Sequence, residues 1–141
     1  MSMTILVTPK TKSVLIDLQN MQGTTEKGLK KALSLIGGEV KREAQKLIKE
    51  GPKTGRMYGS HQASAPGEPP ANRTGRLQRS LKYKTRNHRE MTIGAYAEYA
   101  GYLEAGTRKM KARPFVIKAV TNKVQEAHDI ILESIKREIE A

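Results

Sequence analysis

SAPGEPPANRTGRLQRSL, residues Ser64 to Leu81, divides a chain of 141 residues into two parts that must each build their own regular structure. Four of the six prolines, Pro52, Pro66, Pro69 and Pro70, fall between Gly51 and Gly75. Each fixes φ and removes a backbone donor, so this segment is neither helix nor central strand. A structureless stretch of such length inside a compact domain is uncommon and signals an extended arm or a binding element. Its distal end, Asn72-Arg73-Thr74-Gly75-Arg76, leads into an apolar-spaced stretch that predicts one or two helical turns over Thr74–Leu81, with Leu77 and Leu81 on one side and Thr74 as a cap.

Before the segment, Leu29, Leu33, Ile36, Val40, Ala44, Leu47 and Ile48 step by threes and fours. They predict an amphipathic helix from Thr24 or Thr25 to Glu50, stopped by Gly51-Pro52. Gly37-Gly38 in its middle weakens it by about 1 kcal/mol per glycine and points to a close helix contact or a kink. Nearer the N-terminus, Met3–Val7 reads as a short strand ended by Pro9. Val14, Leu15, Leu18 and Met21 then recur at helical spacing and predict a short helix capped by Ser13 and ended by Gly23.

Beyond the segment, Lys82–Arg86 and Met91–Ala95 read as two strands around the turn Asn87-His88-Arg89. Tyr96–Ala105 predicts a short helix closed by Gly106, followed by the basic loop 107–113. Pro114 suits the first turn of a closing helix that reaches about Ile139. Its stripe is Val116, Val120, Val124, Ala127, Ile131, Ile135 and Ile139. The expected fold is α+β: two long amphipathic helices packed on a small, mostly antiparallel sheet. It forms a single domain over 1–141, with a long Pro/Gly-rich extended arm, 51–75, projecting from it.

Composition narrows the function. There is no cysteine, which excludes a disulfide scaffold, thiolate metal sites and a cysteine nucleophile. No stretch approaches the roughly 20 apolar residues that span a bilayer, and the N-terminus lacks the pattern of a signal peptide, so the chain reads as soluble and intracellular. The net charge of +12 is uneven: residues 51–90 carry nine Lys or Arg against two acids, whereas 119–141 carry three against five. A basic middle attracts phosphate backbones without sequence preference, or meets an acidic face on a neighbouring subunit.

Enzyme signals are weak. Pro52-Lys53-Thr54-Gly55 lacks the glycine spacing of a phosphate loop, and His61, His88 and His128 share no ligand spacing. Glu98 and Glu104 bracket a tyrosine-rich turn, where surface or ion-paired glutamates are a better account than an acid–base pair. No catalytic, cofactor or metal residue is assigned. The basic residues are the stronger signal. Arg73, Arg76, Arg79, Lys82, Lys84, Arg86 and Arg89 form one group and Arg108, Lys109, Lys111 and Arg113 a second. With few aromatics between them, phosphate contact is favoured over base stacking. Tyr96, Tyr99 and Tyr102 are three tyrosines within seven residues, more than core packing needs, and point to a subunit contact.

Four motifs then occur in order: Ser64, Pro66, Gly67, Pro69 and Pro70; Thr74, Gly75, Leu77 and Ser80; Tyr99, Glu104, Gly106 and Thr107; and Arg113, Pro114 and Phe115. In this order and spacing the chain resembles the neck and tail-completion proteins of long-tailed bacteriophages, the virion-morphogenesis proteins that join head to tail. The resemblance is strong over Gly51–Ala119.

It implies a non-enzymatic protein of the virion neck or tail, assembled in the host cytoplasm and forming a ring around the DNA path. A hexamer suits a tail-side member and a dodecamer a portal-side one. Expected partners are other copies of the chain, the phage connector, and tail-tube or tail-terminator proteins, with non-specific DNA contact, no membrane and no cofactor. In that picture the first two motifs form the assembly arm. Thr74 and Gly75 set the turn into the Leu77 helix, Glu104 pairs with a cation of the 108–113 loop, and Phe115 anchors that loop. Tyr99, Tyr102, Glu104, Gly106, Thr107, Arg113, Pro114 and Phe115 form the interface and its loop. Arg73, Arg76, Arg79, Lys82, Arg108, Lys109 and Lys111 are candidates to face DNA. The alternative from a different class is an independent basic nucleic-acid-binding module.

Overall fold

The structure, a computed structural model, describes residues 2–8, 13–19, 26–71, 74–85, 87, 90–97, 99–109 and 111–140. Strand β1 (Ser2–Thr8) pairs antiparallel with β2 (Ser13–Gln19), with Ile5 opposite Ile16. Helix α1 (Glu26–Glu50) follows, then the small hairpin β3 (Met57–Tyr58) and β4 (His61–Gln62). The single turn α2 (Arg76–Arg79) leads into β5 (Leu81–Thr85) and β6 (Glu90–Ala95). Helices α3 (Ala100–Ala105) and α4 (Val116–Glu140) complete the chain.

The main sheet has the order β1-β2-β6-β5 and every neighbouring pair is antiparallel. Helix α1 packs along α4 and also covers β5 and β6. The expected α+β architecture, two long helices on a small antiparallel sheet, is the one observed.

One expected element is corrected. Residues 13–19 form β2, not a helix, and the rest of the expected helix, residues 20–23, lies outside the described residues. Val14, Ile16 and Leu18 also alternate with period two, and Val and Ile are β-branched, so the stretch fits a pleated surface. Tertiary pairing selects that period: β2 is held on both edges, with Val14 opposite Val7 on one side and Ile93 on the other. The expected helix over Tyr96–Ala105 is also shorter, starting only at Ala100.

The core lies between the two long helices and the sheet. Leu29, Leu33, Ile36, Val40, Ala44 and Ile48 from α1 meet Leu81, Met91, Ile93 and Ala95 from the hairpin and Val116, Ala119, Val120, Ala127 and Ile131 from α4. Phe115 is the largest fully buried side chain. Val124, expected within the α4 stripe, sits at its exposed margin, and the side chains of Ile135 and Ile139 lie outside the described residues.

Gly37 explains how closely α1 approaches the sheet. A Cβ there would lie 2.5 Å from Tyr83 Cδ2 and 2.7 Å from Met91 Sδ. The close approach at Gly37 is therefore to β5 and β6 of the sheet, not the helix contact expected at the Gly37-Gly38 pair. Gly37→Ala gains about 1 kcal/mol of helix propensity but must push a ring and a thioether aside, at about 1–3 kcal/mol. The expected net result is a lower denaturation midpoint; a raised midpoint would show that Tyr83 yields freely.

Candidate assembly groove

The Pro/Gly-rich segment is fastened to the body at several places. At its start, Lys53 Nζ donates to the carbonyls of Gly51 (2.7 Å) and Leu47 (3.3 Å), satisfying acceptors at the end of α1. Burial lowers the pKa of this ammonium, and the Glu68 charge opposes the shift. Lys53 thus caps the C-terminal end of α1. Further on, the Gly55 amide donates to Ala63 O and Ala63 N to Arg56 O, closing the base of the β3–β4 hairpin. Met57 and Tyr58 on that hairpin are exposed, with the Arg56 guanidinium 5.4 Å from the Tyr58 ring centroid.

Glu68 clasps the two ends of this segment. Its carboxylate accepts from Thr54 N (2.9 Å), Thr54 Oγ1 (2.5 Å) and Ala65 N (2.8 Å). Hydrogen bonding by the Thr54 hydroxyl, then by the Ala65 and Thr54 amides, holds its pKa below the ordinary 4.5. The clasp therefore contributes at neutral pH and is lost as pH falls through that lowered value. Exchange protection of the Thr54 and Ala65 amides is expected to collapse on acidification below 4.5, and Glu68→Ala, which leaves no acceptor, should remove it at all pH values. Unchanged protection in Glu68→Ala would contradict the clasp.

Next to the clasp, Gly67 N donates to Ala112 O (2.9 Å), and Lys118 Nζ donates to Gly67 O. Ser64, Pro69 and Pro70 are buried. At the turn that follows, Gly75 adopts φ 76°, a left-handed conformation that favours glycine, and Thr74 Oγ1 accepts from Arg76 N. Ser80 Oγ donates to Leu77 O (2.7 Å), and Ser80 O accepts from Tyr96 N, tying α2 to the end of β6.

The third and fourth motifs are joined by Glu104. Its carboxylate accepts the amides of Phe115 (3.0 Å), Val116 (3.1 Å) and Ile117 (2.9 Å), the otherwise unpaired donors at the start of α4. Capping the start of α4 is a use of Glu104 beyond the one its sequence position suggested. The Arg113 amide donates to Leu103 O (2.6 Å), and Gly106, at φ 78°, ends α3. Thr107 Oγ1 accepts from Lys109 N.

Together these contacts frame an open groove of about 820 Å³. Its lining includes Ser64, Pro70 and Ala71, then Thr74, Gly75 and Leu77, and then Tyr99, Leu103 and Arg113. Each of the four sequence motifs contributes to its lining. Arg76, Arg79 and Arg113 are the charged lining residues, with no carboxylate among the described ones. Tyr102, 62% exposed, stands outside the lining, as does Tyr96, whose ring lies 5.8 Å from Lys82 Nζ. Arg108, Lys109 and Lys111 are exposed on the loop and also do not line the groove. Arg73, Arg86, Arg89 and Glu98 lie outside the described residues. Sequence reasoning missed Glu68 and Lys118, whose partners the fold brings near from fourteen and fifty-one residues away, and Lys53, which reaches back to the carbonyls of Gly51 and Leu47.

The groove joins an apolar lining to guanidinium groups, and among the described residues no three His, Asp or Glu side chains gather as metal ligands would. No helix among the described residues is long and apolar enough to cross a membrane. Residues 13–106 match the model of the family described as "Bacteriophage HK97-gp10, putative tail-component". The chain belongs to this family of phage tail components, proteins of the virion that work in contact with other phage proteins. The match takes in the first two motifs and Tyr99, Glu104 and Gly106 of the third, and leaves β1, Thr107, Arg113-Pro114-Phe115 and α4 outside. No curated protein and no solved structure matches the chain.

Proposed function

We propose that this protein is a tail-completion or head–tail joining component of a long-tailed phage, a non-enzymatic part that assembles as a ring around the DNA path. The observation that carries the reading is the gathering of four separated motifs around one open groove with apolar walls and three guanidinium groups. Such a surface suits a protein neighbour: the apolar walls supply burial and the charges fix partner and register. Because the segment 51–75 is held by prolines and by the Glu68 clasp, little entropy is lost when a partner docks on it. Its projecting portion is the β3–β4 hairpin, which presents Met57 and Tyr58.

The ring is six-fold at the tail side, twelve-fold if the protein sits at the portal. Connector and tail-tube or tail-terminator proteins lie on either side, and assembly takes place in the host cytoplasm. Lys82 and Lys84, exposed on β5, face the DNA path and meet phosphates without sequence preference. Light scattering and negative-stain microscopy test the reading. Rings are expected, either from the protein alone or once connector or tail-tube partners are added. A strict monomer under both conditions would contradict it.

The exposed β5 lysines also favour a second reading, an independent DNA-binding module. It requires steeply salt-dependent DNA binding by the isolated protein, lost when Arg73, Arg76 and Arg79 become alanine. Absence of binding at low salt would eliminate it.

A further inference from the structure

A second concave surface lies between the two long helices and shares no residue with the groove. It measures about 400 Å³ and is lined by Leu35 of α1 and by Glu126, Asp129, Ile130, Glu133 and Arg137 of α4. Glu126, Asp129, Glu133 and Arg137 follow at three- and four-residue steps, so they form one face of the helix. Leu35 is 51% exposed, and Leu132 beside this face is 53% exposed. Its lining carries three carboxylates against one guanidinium; Glu126 pairs with Lys123 Nζ at 3.0 Å, and Arg137 Nε lies 3.4 Å from Glu133.

The groove has the opposite character: apolar walls with three guanidinium groups. We infer that the Leu35–Glu126–Asp129–Glu133 face of one copy docks into the groove of the next, against Arg76 and Arg79. Arginine suits this role, since its planar fork matches a carboxylate with two parallel hydrogen bonds. Leu35 meets the apolar part of the lining, Pro70, Leu77 and Leu103. The two surfaces are different patches on one chain, so the contact is head to tail. Repeated, such a contact either closes into a ring or runs on as a filament. The inference rests on the ring reading and names the surfaces that build it. Duplex DNA would satisfy the arginines but leave the apolar walls without a partner, so a helix face is the better occupant.

The chain has no cysteine, which allows a clean cross-linking test. Ala71→Cys and Leu35→Cys variants are prepared separately, mixed under assembly conditions and mildly oxidised. The expected product is a mixed disulfide holding one copy of each, formed by neither variant alone. Adding Arg76→Glu and Arg79→Glu to the Ala71→Cys chain should abolish it. Placing Glu126→Arg and Asp129→Arg on the Leu35→Cys chain should then restore it. Assembly without the mixed product, or with only Ala71→Cys self-linked pairs, would overturn this interface and leave the ring reading standing. Duplex DNA that shields Ala71→Cys from alkylation, with no mixed disulfide, would assign the groove to nucleic acid. Absence of assembly with every partner would remove both the ring and the interface.

Discussion

Phe115→Ala is expected to destabilise the protein by about 3–5 kcal/mol, the range for removing a fully buried aromatic ring. Phe115 is 1% exposed and joins the α4 stripe to the end of the motif region. Its amide is also one of the three that Glu104 accepts. The cavity left behind cannot collapse easily, because this amide bond and the start of α4 fix the backbone at that point. Against a typical total stability of 5–15 kcal/mol, the loss is large enough to unfold a measurable fraction of the chain at 37 °C. Urea denaturation measures it directly. A change below about 1 kcal/mol would mean that the site repacks and that Phe115 is not the anchor of the loop.

The second large effect concerns assembly and leaves the fold intact. Arg76→Glu with Arg79→Glu is expected to cut the yield of joined, infectious particles by roughly a hundredfold or more, at unchanged thermal stability. Both side chains are exposed, so reversal should cost the isolated fold little. At an interface, juxtaposed like charges cost several kcal/mol, and each 1.4 kcal/mol is a factor of ten. Complementation of a phage lacking the gene, scored by plaque yield and by microscopy of unjoined heads and tails, reads the effect. Wild-type yields from the double reversal would separate the groove from assembly.

Much of the architecture can be read from periodicity. The three- and four-residue steps from Leu29 to Ile48 and from Val116 to Ile131 are local, and both helices form where those steps run. The hairpin of β5 and β6 was similarly legible from Tyr83 and from Met91, Ile93 and Ala95. Strand β2 was not, because Val14, Leu15 and Leu18 satisfy a helical step as well as Val14, Ile16 and Leu18 satisfy an alternating one. Only the pairing with β1 and β6 separates the two, and that information is non-local.

The site divides in the same way. Thr74 and Gly75 announce their turn through residue type, since a left-handed φ favours glycine. Glu68 and Glu104 announce nothing. Each finds its amide partners up to fourteen and thirteen residues away, respectively, through the course of the chain. The motifs were visible as four separate strings, and their convergence on one groove is a property of the fold.

Hydroxyl-radical footprinting of Tyr99, read by mass spectrometry, tests the central claim most directly. Tyr99 lines the groove and is 38% exposed in the free chain. If the groove seats a neighbour, Tyr99 reacts in the free protein and is protected in the assembled particle. Equal reactivity of Tyr99 in both states would show an empty groove and contradict the account.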